Sequence, residues 1–428
     1  MIRKLLFSSA LLLLLSSNAL AEGFSMTEWS ARGLSLAGGM VGRADDASAL
    51  AYNAAGITQL PGTHIMAGIS TITPYGDLHG EFANGSSHDT AVKVSTWTPV
   101  HGYITHQLND NVWLGFGLFS RFGLGNAYSG DWFGRYNVYD VGFQTVSAVP
   151  TVAYKINDVF SVSAGLEIMY VHFYEGVKIP SMFTLGQRFD NDMQLEATGV
   201  GFGAHFGLHA RLNEQWSVGL AYKTQVTQNM SGDAQFARQG ANLPIAVAGG
   251  MPSLRQRNAD ISGVIQLPDS IALGIAYKPL ENLSFEVGTV FTRWSTYNHL
   301  NIYFDEPSGY RSINEKQWRD GWNFNASVEY KPLSWLALRA GYWYETPVVN
   351  ETYADFMVPS FGRDVLTLGA GFAWENWTLD LAYAHIWLHS PDYSQTRVSS
   401  IQNGAGVKSG GIENGQSDLF TVSLGYSF

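Results

Sequence analysis

His205 and His209 stand four residues apart. On a helix that spacing stacks two imidazoles on one face, within reach of one metal ion. The neighbours argue otherwise. Val200, Phe202, Ala204, Phe206 and Leu208 alternate with them. The segment therefore reads as a strand, where the two rings stand about 13 Å apart at roughly 3.4 Å per residue. They read as polar residues on one face of a sheet, and neither a metal nor another cofactor is expected. No Gly-x-Ser-x-Gly, P-loop or His-Glu-x-x-His motif occurs. That leaves open only catalytic residues gathered from distant strands. Other residues suited to binding are apolar and fall between strands. Ile179, Met182, Phe183 and Leu185 lie in 173–198, and Phe236, Leu243, Ile245, Val247 and Met251 in 227–260. Exposed, they make a contact surface for an apolar molecule; packed on one another, they make a lid.

The elements that must position these residues announce themselves through turns. Six times a short polar turn precedes an alternating run: Asn109-Asp110-Asn111, Asn157-Asp158, Asn213-Glu214-Gln215, Glu281-Asn282, Ser334 and Glu375-Asn376. The turns lie roughly 40 to 70 residues apart, room for two long strands and one long loop. Six tight turns with both ends of the chain at the same rim imply seven hairpins, hence 14 strands. Long loops are expected at about 173–198, 227–260, 295–320, 347–362 and 389–417. Within strands the faces separate. Phe420, Val422, Leu424, Tyr426 and Phe428 alternate with Thr421, Ser423, Gly425 and Ser427, and Leu338, Tyr342 and Tyr344 alternate with Arg339, Gly341 and Glu345. Trp113, Trp216, Trp335 and Trp377 sit beside tight turns, where an aromatic girdle belongs.

Composition agrees. Aromatic residues make up 14% and charged residues 14% of the chain, against about 25% charged in soluble domains. Cysteine is absent, as a large closed barrel allows. Arg3 and Lys4 precede an apolar run from Leu5 to Leu15, with a small-residue cleavage site at Ala19-Leu20-Ala21. Residues 1–21 therefore read as a secretory signal peptide, the alternative being an anchored N-terminus. Losing Arg3 and Lys4 takes the formal net charge from −11 to about −13, which excludes nucleic acid as a general partner. The expected fold is an all-β transmembrane, 14-stranded antiparallel β-barrel spanning 63–428 in the outer membrane, in contact with its lipid. A soluble β-solenoid or sandwich is the alternative. The terminal Phe428 resembles the signal that outer-membrane assembly machinery reads.

Residues 22–62 do not alternate. Gly33, Gly38, Gly39, Gly42 and Gly56 interrupt an alanine-rich stretch, so short helices with glycine breaks are expected. Such a segment fits the lumen as a hatch, or else hangs as a periplasmic tail. Several residues resemble the long-chain fatty-acid transporter family of outer-membrane proteins (FadL/TodX-like). In the segment itself these are Gly23-Phe24, Ala44-Asp45-Asp46-Ala47 and Asn53-Ala54-Ala55. In the barrel they are Trp97-Thr98-Pro99, Phe122-Gly123-Leu124, Leu267-Pro268-Asp269, Thr292-Arg293-Trp294-Ser295 and Tyr344-Glu345-Thr346-Pro347-Val348. One departure stands out: the family has Asn-Pro-Ala where this chain has Asn53-Ala54-Ala55, and alanine permits a helix to continue where proline would stop it.

The resemblance implies transport of a hydrophobic small molecule, a fatty acid or hydrocarbon, by diffusion, with no enzyme activity and no cofactor. The route would run past a 22–62 hatch and leave sideways at a kink in the third strand. Gly123 matches the kink glycine, Asn53, Ala54 and Ala55 would stand near the gap, and Phe24 would reach the ligand pocket. A carboxylate head needs a cation, for which Lys178 and Arg319 are the candidates beside Ile179, Phe183, Leu185, Ile245 and Met251. Competing readings are a general porin for polar solutes, a lipid hydrolase and an adhesin.

Overall fold

The computed structural model describes residues 23–82, 85–182, 188–238, 256–305, 311–358, 361–390 and 407–428. The expected signal peptide lies outside them. The strands form one antiparallel sheet closed into a barrel of 14 spanning strands. In chain order they are β1 Thr63–Phe82, β2 Val100–Gln107, β3 Val112–Phe119, β4 Asp140–Lys155 and β5 Phe160–Met182. Then come β6 Arg188–Arg211, β7 Trp216–Lys223, β8 Ser270–Leu280, β9 Leu283–Thr292 and β10 Gly321–Leu333. The last are β11 Leu336–Glu345, β12 Arg363–Trp374, β13 Trp377–Leu388 and β14 Val407–Ser427. β1 closes the ring on β14, from His64 opposite Ser427 to Phe82 opposite Val407. Closure leaves no unpaired edge in hydrocarbon.

In three of the tight turns an asparagine does the same work. Asn109 Oδ1 accepts the Asn111 and Val112 N–H groups at 2.9 and 3.0 Å. Asn157 does so for Val159 and Phe160, and Asn213 for Gln215 and Trp216. A short side chain that mimics a backbone acceptor fixes these three turns locally.

The alternating faces separate as the barrel requires. Leu166, Phe206, Leu338, Tyr342, Phe420 and Leu424 are exposed, whereas Glu167, Glu286, Glu329, Arg339 and Asp380 are buried on the inner face. Trp216, Trp335 and Trp377 point outward, but Trp113 does not. Its indole faces the lumen and donates to the Leu60 carbonyl at 2.7 Å. The parity of β3 decides this, because Val112 and Leu114 take the outer side.

The far rim holds more strand than expected. β5 runs to Met182 and β6 begins at Arg188, so most of 173–198 is hairpin. Val226–Phe236 and Ala259–Leu267 pair with each other at the two ends of 227–260, and His299–Phe304 pairs with Arg311–Glu315 inside 295–320. β14 begins at Val407, inside 389–417. Above the bilayer both faces of a strand meet water or loops, so the alternation fades while the ladder continues.

Inside the barrel lies the N-terminal segment. It contains α1 Ala31–Ser35, α2 Ala49–Tyr52 and a 3-10 turn Ala54–Gln59. Ser30 caps α1 by accepting the Gly33 N–H at 2.9 Å. The chain does not run on as helix through Asn53. That residue is extended (φ −151°, ψ 94°), and its side chain accepts the Ala55 N–H.

Candidate functional site

The N-terminal segment is gripped near the tight-turn rim by charged wall residues. The Glu286 carboxylate on β9 accepts three successive backbone N–H groups, from Val41, Gly42 and Arg43, at 3.0, 2.8 and 2.9 Å. Only glycine fits in the middle, because a Cβ on Gly42 would lie 2.8 Å from the Gly274 backbone of β8. Arg32 reaches Glu329 on β10 through two nitrogens, at 3.1 and 3.2 Å, and Asp45 and Asp46 at 2.7 and 3.0 Å. Burial would lower the charge preference of Arg32, but Asp45 and Glu329 outweigh it and hold the guanidinium firmly protonated. Arg339 on β11 bridges Glu329 and Asp380 at 2.7 and 2.5 Å. His209 Nε2 lies 2.9 Å from the Gly42 carbonyl. Asn53 donates to the carbonyls of Val41 and of Leu208 on β6, each at 3.0 Å.

The third strand breaks where the resemblance placed a kink. β3 pairs with β4 up to Phe119 opposite Ser147, and pairing resumes with Gly123 opposite Gln144. Between these points β3 advances four residues against three on β4, which is a bulge with one extra residue. Arg121 and Phe122 both turn inward and are buried. Pairing between β2 and β3 stops at Gly102 opposite Leu118. The two sides next meet where the Lys93 N–H donates to the Ala127 carbonyl at 2.8 Å. Between those contacts no backbone hydrogen bond joins them among the described residues, so the wall carries a bounded window.

The backbone groups at the break are satisfied from within. Trp29 Nε1 donates to the Ser120 carbonyl at 2.6 Å. The Met26 N–H donates to the Arg121 carbonyl at 2.9 Å, and the Gly123 N–H to the Phe24 carbonyl at 3.0 Å. The Thr145 hydroxyl accepts from the Phe122 N–H and donates to its carbonyl, at 3.1 and 2.7 Å. A wall inside hydrocarbon tolerates an opened ladder only on such terms. Across the window the Trp97 indole lies over Gly125, where an added Cβ would meet its ring carbon at 1.9 Å.

A cavity of about 420 Å³ lies behind this window. Trp97, Pro99, Leu124, Phe143, Ile386 and Leu419 line it, with Phe24 and Gly123. So do Val100 and Val146, which are 49% and 39% exposed on the outer face. The cavity therefore touches side chains from both faces of the wall. Phe24 sits at its edge in a cage of rings, with Trp294 at 4.7 Å, Phe143 at 5.5 Å, Tyr297 and Trp318 at 5.7 Å and Phe122 at 6.1 Å. Two charged residues also line the cavity, Glu28 and Arg363. Burial pushes the Glu28 carboxyl up, against the pull of neighbouring backbone N–H groups and Arg363.

Of the residues named from sequence, Phe24 and Gly123 meet at this cavity. Asn53, Ala54 and Ala55 do not line it; Asn53 is tied to β6. Lys178 is paired with Asp192 at 3.1 Å and stands over the Tyr139 ring in the β5–β6 hairpin. Ile179 is in the same hairpin, opposite Asn191. Neither lines the cavity, and Arg319 is exposed. Phe183, Leu185, Ile245 and Met251 lie outside the described residues. Arg363 was missed, although the parity of β12 places it on the inner side with Val365 and Thr367. Ile386, Leu388 and Leu419 were missed too. Their signal was the loss of a polar face: Ala384, Ile386 and Leu388 point inward while Trp387 points out.

The family model described as outer membrane protein transport protein (OMPP1/FadL/TodX) matches residues 12–428. The long-chain fatty acid transport protein of Escherichia coli is 22% identical over 97% of this chain and 96% of its own length. Outer membrane protein P1 of Haemophilus influenzae is 23% identical over 97% of each. Among solved structures, a Pseudomonas aeruginosa FadL homologue superimposes with a TM-score of 0.80 at 18% identity, covering 95% of this chain and 100% of that one. The Pseudomonas putida toluene transporter TodX gives 0.69 at 17% identity over 96% and 99%. A match over nearly the whole sequence, on a barrel with the same shape, places this chain in the OMPP1/FadL/TodX family of outer-membrane transport proteins.

Proposed function

We propose that this protein takes up hydrophobic compounds through a hatch-filled barrel and releases them sideways at the break in β3. The observation that carries the reading is the cavity lined from both faces of the wall. An apolar molecule leaving through the window never has to cross water, so it avoids the cost of re-exposing its surface, roughly 25 cal/mol per Å² of apolar area. Residues 23–62 act as the hatch. Their first residues line the cavity and the rest fill the lumen beneath it, which argues against a general porin.

The relatives named above include a transporter of long-chain fatty acids and one of toluene. The cavity suits either class. A volume of about 420 Å³ is within the usual range for small-molecule sites. The cage around Phe24 is shaped for a ring. Arg363 is the cation at the cavity that a carboxylate head would meet, in competition with Glu345, whose carboxylate lies 2.6 Å from it.

The test is Gly125→Val. Its side chain must collide with the Trp97 indole in the window, so uptake of a radiolabelled long-chain fatty acid or toluene is expected to fall. The barrel should keep its heat-modifiable mobility. Normal uptake by the folded variant sinks the lateral route. Large steady ion currents through wild-type protein in planar bilayers would favour the porin instead.

A further inference from the structure

The break in β3 needs a cause, and Gly123 is not a sufficient one. A Cβ added there would meet only the flexible Met26 side chain, with its sulfur at 2.6 Å. The residues that leave the plane of the wall are Arg121 and Phe122. Arg121 is 3% exposed. Its guanidinium reaches three other parts of the barrel: Glu167 on β5 at 2.5 Å, the Thr224 carbonyl beyond β7 at 3.2 Å, and the Pro268 carbonyl before β8 at 3.0 Å. Glu167 is itself held by the Ser147 hydroxyl at 2.7 Å and His205 Nε2 at 3.0 Å. The Arg121 carbonyl in turn accepts the Met26 N–H of the N-terminal segment.

From this geometry we infer that Arg121 is the positioning residue that holds the wall window open. The inference rests on the lateral route proposed above. The guanidinium is anchored by groups that cannot follow it outward, because they belong to β5 and to the ends of β7 and β8. While it stays there, residues 120–122 remain bulged inward and cannot join the ladder of β2. The bulge puts two successive side chains on one face, and Arg121 stacks on Phe122 at 5.0 Å. That contact carries the neighbouring ring into the cage around Phe24. Without the anchor, the register of β2 on β3 continues upward. Gly102 opposite Leu118 is followed by Val100 opposite Ser120, and the window zips shut.

The chain has no cysteine, which gives a clean background for a crosslink at that pair. Val100→Cys with Ser120→Cys is placed in three forms of the full-length protein: otherwise wild type, Arg121→Lys, and Arg121→Met with Glu167→Met. The last removes both charges, so no buried ion is orphaned. Crosslinking is expected to be slow in the first, intermediate with lysine and fast in the methionine pair. Without the cysteines, uptake by the folded methionine pair should fall about tenfold, the order set by a charge-assisted hydrogen bond that selects one of two conformers. Equal crosslinking rates in all three overturn the role of Arg121, whatever uptake does. The oxidised crosslink in the Arg121 background tests the route separately. If uptake persists with the window locked, the lateral exit fails, while the crosslinking rates still report on Arg121. Should the methionine pair not reach the membrane, the lysine form supplies the comparison alone.

Discussion

The same N-terminal segment is held at two heights by opposite chemistry. Near the tight turns, Glu286 and Glu329 grip residues 32–43 through ionised, directional contacts with the backbone and two arginines. Near the window, residues 23–29 are held by a few backbone bonds to the break and by Phe24 in its cage of rings. The first grip is specific: nothing apolar can replace a carboxylate that satisfies three N–H groups. The second is generic, since any apolar molecule of similar shape can offer the cage equivalent contacts. On the proposed transport route, the lower half of the lumen would keep its occupant and the upper half would exchange it. This also explains why the inner face is polar below and apolar above.

The largest expected effect breaks the lower grip. Glu329→Gln removes one charge that serves Arg32, Arg339 and Arg43 together. Orphaning buried partners costs about 3–5 kcal/mol, so the segment should loosen. Steady conductance in planar bilayers and protease cleavage between residues 30 and 60 should both rise; an unchanged, protected segment would mean that the ionic grip is dispensable. Phe24→Ala removes the centre of the upper grip at about 3 kcal/mol or somewhat more. Its effect should stay confined to residues 23–29, leaving barrel melting and conductance as in wild type. Binding of a fluorescent apolar probe should increase. If conductance rises as for Glu329→Gln, the two grips are one cooperative unit. A smaller contrast lies in the window itself. Gly125→Val faces a rigid indole and Gly123→Val a flexible methionine, so the first should slow uptake more than the second. Equal losses would return the kink to Gly123.

The regions differ in how far they could be read from sequence. Strand number and facing were legible because turn asparagines and apolar alternation are local signals, and the bilayer enforces both. Trp113 shows the limit: it neighbours a turn as Trp216 does, but one step of parity sends it into the lumen. The site was only half legible. Phe24 and Gly123 came from resemblance. Arg363, Ile386 and Leu419 are brought together from β12, β13 and β14 by closure of the barrel, and no local pattern announces that. Lys178 shows the converse difficulty. A cation in an apparent loop looks available for a ligand, yet its cross-strand partner Asp192 lies directly opposite in a hairpin. Arg121 was passed over because a lone arginine in an aromatic stretch has no motif. Its meaning lies in three partners more than 40 residues distant.

The smallest effect concerns the lower grip's departure from its family. Ala54 opens the 3-10 turn behind an extended Asn53, and its N–H meets no acceptor among the described residues. That is a position where proline is at home: the missing donor costs nothing, and the preceding residue is already extended rather than helical. The proline of the family's motif is thus not what stops the helix here; the Asn53 cap does so unaided. Ala54→Pro should stabilise the segment by about 0.4–1 kcal/mol through the unfolded chain alone. The expected reading is slightly slower protease cleavage with uptake unchanged. Asn53→Ala should do more, because it cuts the ties to Val41, Leu208 and Ala55 together. If Ala54→Pro instead loosens the segment, the tight packing of Ala54 rather than the cap of Asn53 sets the turn, and the lower grip depends on shape as much as on charge.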